Sequence, residues 1–542
     1  MGQTTRRAFL ERSSGAAAIA AVLCRRAAGA EGVEGGRTTK APFRVLYNND
    51  ATNTMGCVSP WHKKGEPFRE ELLAASIDEV AGKGVDAYML SPGLGWIPWW
   101  QSKAVPDHYA WWTKKTGLEP DSYGKYMLAG GDMVRVLVER CRAKGMEPFV
   151  SLRLNDTHHQ ENYGEKNANS IWVSRFYEEH PEYMLDPGHK KAQGYSGSRG
   201  QNWMIPEVRA YKLALLEELA ANYDLAGIEL DFLRDHHLFR QNETTAKQRQ
   251  EAVTGFVRAV RAALDRKGGR RYLGVRIPLQ ASTHGAIGLH VPDLVAAGVD
   301  MFNLSGWYQT TQRNDIAQVR RMAPGAAIYL EMTHVCGSLR LFVREQGYST
   351  AGFPLTSDPQ FYTTAHLAHE RGADGLSLFN FVYFREHGAV RAPVVCEPPF
   401  HVLARLADRA WLARQPQYYW LAPSVFYSQL PKRLQQGKPE RVQLDLAPPK
   451  APEQPDARLR IHAQTPLGEA EVSVKVNGTL LKRTDDASAF YGNPFDGMMS
   501  DPPRRRAWSC PVSLLRDGLN DVEVALASKG PLQLNILDLA VR

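Results

Sequence analysis

From residue 43 the apolar positions of this chain follow two alternating rhythms. In "FRVLYNND" they recur every second residue, as in a strand; in "FREELLAASIDEVAGKG" they recur every third or fourth, as on one face of a helix. The pair of patterns then repeats. Strand-like "VDAYMLSP", "EPFVSLRLND", "GIELDFLRDHH", "YLGVRIP", "VDMFNLSGW", "AIYLEMTH" and "DGLSLFNFVYF" are separated by helical stretches such as "DMVRVLVERCRAKG" and "QEAVTGFVRAVRAALDRKG". The stretch "PPFHVLARLADRAWLAR" closes the series as a last helix, and glycine often ends a helix before the next strand. Eight strand–helix units predict a closed (β/α)₈ barrel over residues 41–420. A doubly wound open sheet would carry fewer units and a glycine-rich phosphate turn after its first strand, where this chain has "YNNDATNTMG".

Beyond residue 420 the rhythm shortens. A linker over 421–434 leads to runs such as "AEVSVKVNGTLL" and "LQLNILDLAVR", with turn signals at Asn477-Gly478 and Asp517-Gly518. These predict a small antiparallel β-sandwich over 435–542, and nothing in its sequence names a ligand.

Composition changes the picture mainly at the N-terminus. Residues 1–30 hold Arg6 and Arg7 followed by Phe9 and Leu10, a mildly apolar run, and a small-residue stretch ending at Ala30. That is the pattern of a twin-arginine export signal, which predicts a periplasmic or extracellular protein cleaved near Ala30. The apolar run is too short to span a membrane. The leader's five Arg and one Glu account for half of the formal charge of +8, leaving about +4 on the rest, too weak and too dispersed for a nucleic-acid binder. No membrane association is expected once the leader is removed, and oligomeric state is not legible. Cys57, Cys141, Cys336, Cys396 and Cys510 are odd in number and irregularly spaced, which suggests buried thiols and no zinc or disulfide framework.

In a barrel the chemistry sits at the C-terminal ends of the strands. Alternate side chains share a face, so Glu229 and Asp231 point one way while Ile228, Leu230 and Phe232 point the other. The same reading brings Arg153, Asn155, Asp156 and His158 from the third strand, Arg234 after the fourth, Arg276 from the fifth, and Trp307 after the sixth. The seventh contributes Glu331, with His334 just beyond. Strands four and seven face each other across an eight-stranded barrel, which makes Asp231 and Glu331 the candidate catalytic carboxyls of a glycoside hydrolase; Glu229 lies one layer deeper. Their amide variants are expected to lose turnover and little stability. Five of the chain's twelve tryptophans fall in "GLGWIPWWQSKAVPDHYAWW", so Trp96, Trp99 and Trp100 are candidate stacking surfaces for sugar rings. The other substrate-contact candidates are Glu229, Arg153, Asn155, Asp156, His158, Arg234, Arg276, Trp307 and His334. The histidines show no metal-binding spacing, and neither metal nor cofactor is expected.

The eight-unit barrel with "GIELDFLR" on strand four resembles the glycosyl-hydrolase-like family 10 group of bacterial (β/α)₈ proteins. Gly227, Ile228, Glu229, Asp231, Phe232 and Arg234 carry the likeness, which covers residues 43–420. The strand is also similar to the chitinase motif, but Leu233 stands where that motif has its catalytic Glu, which argues against chitinase chemistry. The resemblance implies the barrel and a carbohydrate substrate. Two other readings stay open: a carbohydrate-binding barrel without catalysis, and a metal-dependent hydrolase or polysaccharide lyase using His158, His236 or Tyr308.

Overall fold

Eight parallel strands close into a barrel in chain order: β1 (Val45–Asn49), β2 (Ala87–Leu90), β3 (Glu147–Arg153), β4 (Gly227–Asp231), β5 (Tyr272–Pro278), β6 (Met301–Ser305), β7 (Ala327–Met332) and β8 (Gly375–Phe379). β8 pairs in parallel with β1, which completes the ring. The computed structural model describes residues 41–55, 61, 66–158, 169–187, 199–337, 354–382, 397–424, 428–449, 456–488, 490 and 500–542. Residues 1–30, which the sequence reads as an export signal, and Cys57, His159 and Cys396 lie outside these residues.

Each of the first seven strands is followed by one main helix: α1 (Glu71–Asp78), α2 (Met133–Ala143), α3 (Pro206–Asn222), α4 (Ala246–Arg266), α5 (Val291–Ala296), α6 (Ile316–Met322) and α7 (Asp358–Glu370). Their ends follow from local chemistry. Asp132 accepts the Arg135 N–H at the start of α2, and Thr245 with Gln248 forms a reciprocal cap on α4. The expected closing helix is broken instead into a 3₁₀ turn, Phe400–Arg405, and a short helix, Arg409–Leu412. Asp408 causes the break by accepting the Trp411 N–H and so capping a new start.

Strand pleating sorts the side chains. Ile228, Leu230, Val150, Val275 and Leu304 point outward into the core shared with the helices. Inside, Leu46, Met89, Phe149, Met301 and Tyr329 make an apolar floor. Gly227 lets that floor close, since a Cβ there would lie 2.3 Å from the Phe149 ring. Polar groups occupy the layers above. The barrel is thus dry at one end and charged at the other.

The remaining strands form two antiparallel sheets, a β-sandwich. One holds β9 (Gln417–Leu421), β10 (Lys432–Leu434), β12 (Ala457–Ala463), β15 (Lys482–Thr484), β16 (Arg505–Cys510) and β18 (Leu532–Val541). The other holds β11 (Glu440–Leu446), β13 (Val472–Val476), β14 (Thr479–Leu480) and β17 (Gly518–Leu526). Asn477 and Gly478, both at positive φ, make the tight turn between β13 and β14, as their sequence predicts. β9 begins at Gln417, inside the stretch expected to belong to the barrel, yet its ladder is with the last strand, β18. Cys141, Cys336 and Cys510 are free, buried thiols.

Candidate active site

At the charged end, one guanidinium joins two carboxyls. Arg276, wholly buried on β5, donates from Nε to Glu331 Oε2 (2.7 Å) and from Nη2 to Glu331 Oε1 (2.6 Å). Its Nη1 reaches both oxygens of Asp231, at 3.2 and 3.1 Å. β4, β5 and β7 therefore bring Asp231 and Glu331 to opposite sides of a single cation. Asp231 also accepts the backbone N–H of Leu233 (2.8 Å) and Arg234 (3.2 Å), so its own turn orients it. Ser305 donates to Glu331 Oε1 at 2.5 Å. Burial pushes the Glu331 carboxyl upward, against the pull of Arg276 and Ser305.

Glu229 sits one layer below. It accepts from Ser151 Oγ (2.6 Å), Asn48 Nδ2 (2.8 Å) and Asn303 Nδ2 (3.0 Å), and that same Asn303 nitrogen lies 3.3 Å from Glu331. Burial raises Glu229 from 4.5 to about 7, more than its hydrogen bonds lower it. The folded carboxyl thus keeps its proton over a range in which the unfolded one has lost it. Its contribution to stability is complete below about pH 4.5 and is lost as pH rises through about 7, a change on the order of 3 kcal/mol. Glu229→Gln should flatten that slope in urea titrations run between pH 4.5 and 8; an unchanged slope would place the proton elsewhere.

A second charged group flanks the first. Arg153 on β3 donates to Asp50 (2.7 Å) and Asp156 (3.0 Å). Burial alone would lower its pKa, but those two acids hold it above the ordinary arginine value. His158 is clasped between Asp156 and Arg234, whose guanidinium lies over the Trp307 and Tyr308 rings. Asp50 and Asn380, themselves bonded at 2.7 Å, were not among the expected residues. The signal for Asp50 is in "YNND": Asn48 and Asp50 repeat the two-residue spacing of Glu229 and Asp231.

Among the described residues, four of the five non-glycine residues at positive φ follow barrel strands at this end: Ala51, Asp235, Trp307 and Asn380. Such backbone persists only where its surroundings force it, and it concentrates at functional sites.

The tryptophan loop is a correction. Trp96, Trp99 and Trp100 are at most 3% exposed, so they offer no face to a sugar. Trp96 stacks on Phe176 and donates to the Asp156 carbonyl, Trp99 packs edge-on against Tyr123, and Trp100 donates to Glu218 (2.8 Å). Helices that sequence spacing cannot place around the loop supply this cover. Trp100→Phe should cost about 1–2 kcal/mol of stability for the lost hydrogen bond and leave carbohydrate binding unchanged, as denaturation and binding assays would show. Trp307 and Tyr308, after β6, stay partly exposed.

Two more candidates lie apart from the acids. His334 is fully buried, its ring against Phe361 and Phe381. The Asn155 carboxamide is taken up by backbone groups of Gln201 and His237, so it braces loops. Lys212, unforeseen, is buried on α3, where it donates to the carbonyls of Gly95 and Arg153; burial drives its pKa well down.

Among the described residues no group of three or more His, Cys, Asp and Glu is placed to hold a metal, and no helix is long and apolar enough to cross a membrane. Cavities of about 590 Å³ near Tyr272 and about 500 Å³ near Gln250 are both lined by residues other than the acid pair.

No protein-family model and no curated protein matches the chain. Among solved structures it is similar to α-L-fucosidase isoenzyme 2 from Paenibacillus thiaminolyticus, at 12% identity and a TM-score of 0.41, over 68% of this chain and 50% of that one. It is also similar to the PgaB (BpsB) glycoside hydrolase domain from Bordetella bronchiseptica, at 10% identity and a TM-score of 0.39, over 65% of this chain and 98% of that one. A third is the GH20 β-N-acetylhexosaminidase from Streptomyces coelicolor, at 14% and 0.39, over 68% and 64%. The chain spans about half the length of the fucosidase. Likenesses this remote carry no weight for activity, which rests on the residues themselves.

Proposed function

We propose that the protein is an exported glycoside hydrolase that cleaves O-glycosidic bonds of a polysaccharide or oligosaccharide, of the glycosyl-hydrolase-like family 10 kind. The observation that carries this reading is the pairing of Asp231 with Glu331 on the Arg276 guanidinium at the C-terminal end of the barrel. A shared guanidinium keeps their nearest oxygens within about 8 Å. Glycoside hydrolysis uses carboxyls roughly 5–9.5 Å apart, one to protonate the leaving oxygen and the other to attack the sugar or to activate water.

In this proposal Asp231, oriented by Arg276 and two backbone N–H groups, is the nucleophile. Glu331, its pKa raised by burial, is the acid. Trp307 and Tyr308 receive a sugar face, and His158 with Arg234 meets its hydroxyls.

A second reading, a barrel that binds carbohydrate without cleaving it, is favoured by one fact: both acids are buried and already engaged by Arg276. Screening the mature protein against a polysaccharide panel, with Asp231→Asn beside it, separates the two. New reducing ends from the wild type alone support hydrolysis, and binding without new ends supports the second reading. Loss of activity on chelation, or an unsaturated product absorbing in the ultraviolet, would move the protein to the metal or lyase class. For export, replacing Arg6 and Arg7 by Lys should strand the precursor in the cytoplasm; a variant still exported would refute the twin-arginine route.

A further inference from the structure

β9 lies between the two modules, and its edges are satisfied differently. Along one edge it pairs with β18. Along the other, barrel side chains stand in for a neighbouring strand. Thr363 Oγ1 accepts the Tyr418 N–H at 2.7 Å. The Gln312 carboxamide donates to the Tyr418 carbonyl and accepts the Trp420 N–H, both at 3.0 Å. One donor and one acceptor on a planar amide reproduce a rung of a β-ladder.

Gln312 ends the segment that carries Trp307 and Tyr308, and it is buried. Further contacts hold that segment against the extension of β7. Thr310 donates its N–H to the Val335 carbonyl and its hydroxyl to the Thr333 carbonyl, each at 2.7 Å, and Thr333 Oγ1 donates to the Tyr308 carbonyl at 2.9 Å. Above them the Trp420 indole donates to the Cys336 carbonyl at 2.8 Å. A continuous set of hydrogen bonds thus runs from the sandwich sheet to the loop bearing the mouth's aromatic pair.

We propose that Gln312 and Trp420 are positioning residues through which the C-terminal sandwich fixes the Trp307–Tyr308 loop for substrate binding. The assignment of that loop to a sugar rests on the hydrolase reading; the mechanical coupling does not.

Hydrogen–deuterium exchange on the full chain tests the coupling without any substrate. In Gln312→Ala, and in Trp420→Phe, which keeps an aromatic ring but drops the indole N–H, the amides of Thr310 and Thr333 should exchange about tenfold faster. Those of Val150 and Leu230, in β3 and β4, should hold the wild-type rate. Arg441→Ala, whose exposed side chain pairs with Glu523 in the other sheet, serves as control and should change neither. A uniform rise across the barrel, or one confined to β9 and β18, would overturn the proposal. On whichever polysaccharide the wild type cleaves, KM should rise roughly threefold or more while kcat stays within about twofold, because the loop binds and the acids react. If the wild type cleaves nothing, the hydrolase reading fails, and the exchange pattern still decides the coupling.

Discussion

Asp231→Asn and Glu331→Gln are each expected to lower turnover at least about a hundredfold, the scale on which a positioned acid, base or nucleophile contributes. The strand pattern alone gives neither acid a structural task. The shared guanidinium changes that expectation. Each amide keeps an oxygen to accept from Arg276 but loses its charge, so a stability cost of about 1–3 kcal/mol should accompany the lost turnover. Turnover must therefore be measured under conditions in which circular dichroism shows the variant folded. Wild-type rates in a folded Asp231→Asn would remove it from the chemistry and strengthen the binding-only reading.

The larger effect on stability belongs to Arg276. Arg276→Met leaves Asp231 and Glu331 buried without their common cation, a loss of about 3–5 kcal/mol at neutral pH. The cost should shrink towards pH 5. Without Arg276, the Glu331 carboxyl rises further above its unfolded value, so the folded variant binds a proton that the unfolded chain releases. Such a group favours the fold below its unfolded pKa, and that favour is lost as pH rises through the folded one. Urea denaturation of both proteins at pH 5 and pH 8 reads this directly. A cost equal at the two pH values would mean that the carboxyls do not depend on Arg276.

The alternation of patterns made the barrel legible, because each element buries one face and the period of its apolar residues reports that face. The inward pair on β4 was legible for the same reason, as was the company of Arg276; Arg153, expected to join it, pairs instead with Asp50 and Asp156. Burial of Trp96, Trp99 and Trp100 was not. Whether a loop aromatic meets solvent or a helix depends on how Phe176, Tyr123 and α3 pack over it, which no local spacing encodes. The start of the second module was misplaced for a related reason: "QYYWL" reads equally well as the end of the barrel, and only its ladder with β18 assigns it. Lys212 was hidden because a lysine on an amphipathic helix ordinarily belongs on the wet face.

That ladder has a consequence for how the chain must fold. β18 relies on β9 to cover Leu537–Val541, and β9 relies on Thr363 and Gln312 to complete its other side. A fragment beginning after Leu421 would leave one edge of a long, largely apolar strand bare over half its length, the kind of edge that recruits other chains into aggregates. A fragment ending before Gln417 would bare the barrel surface around Cys336 that Trp420 covers. Two cores are visible, but neither is finished without the other, and the chain is expected to melt in one cooperative transition.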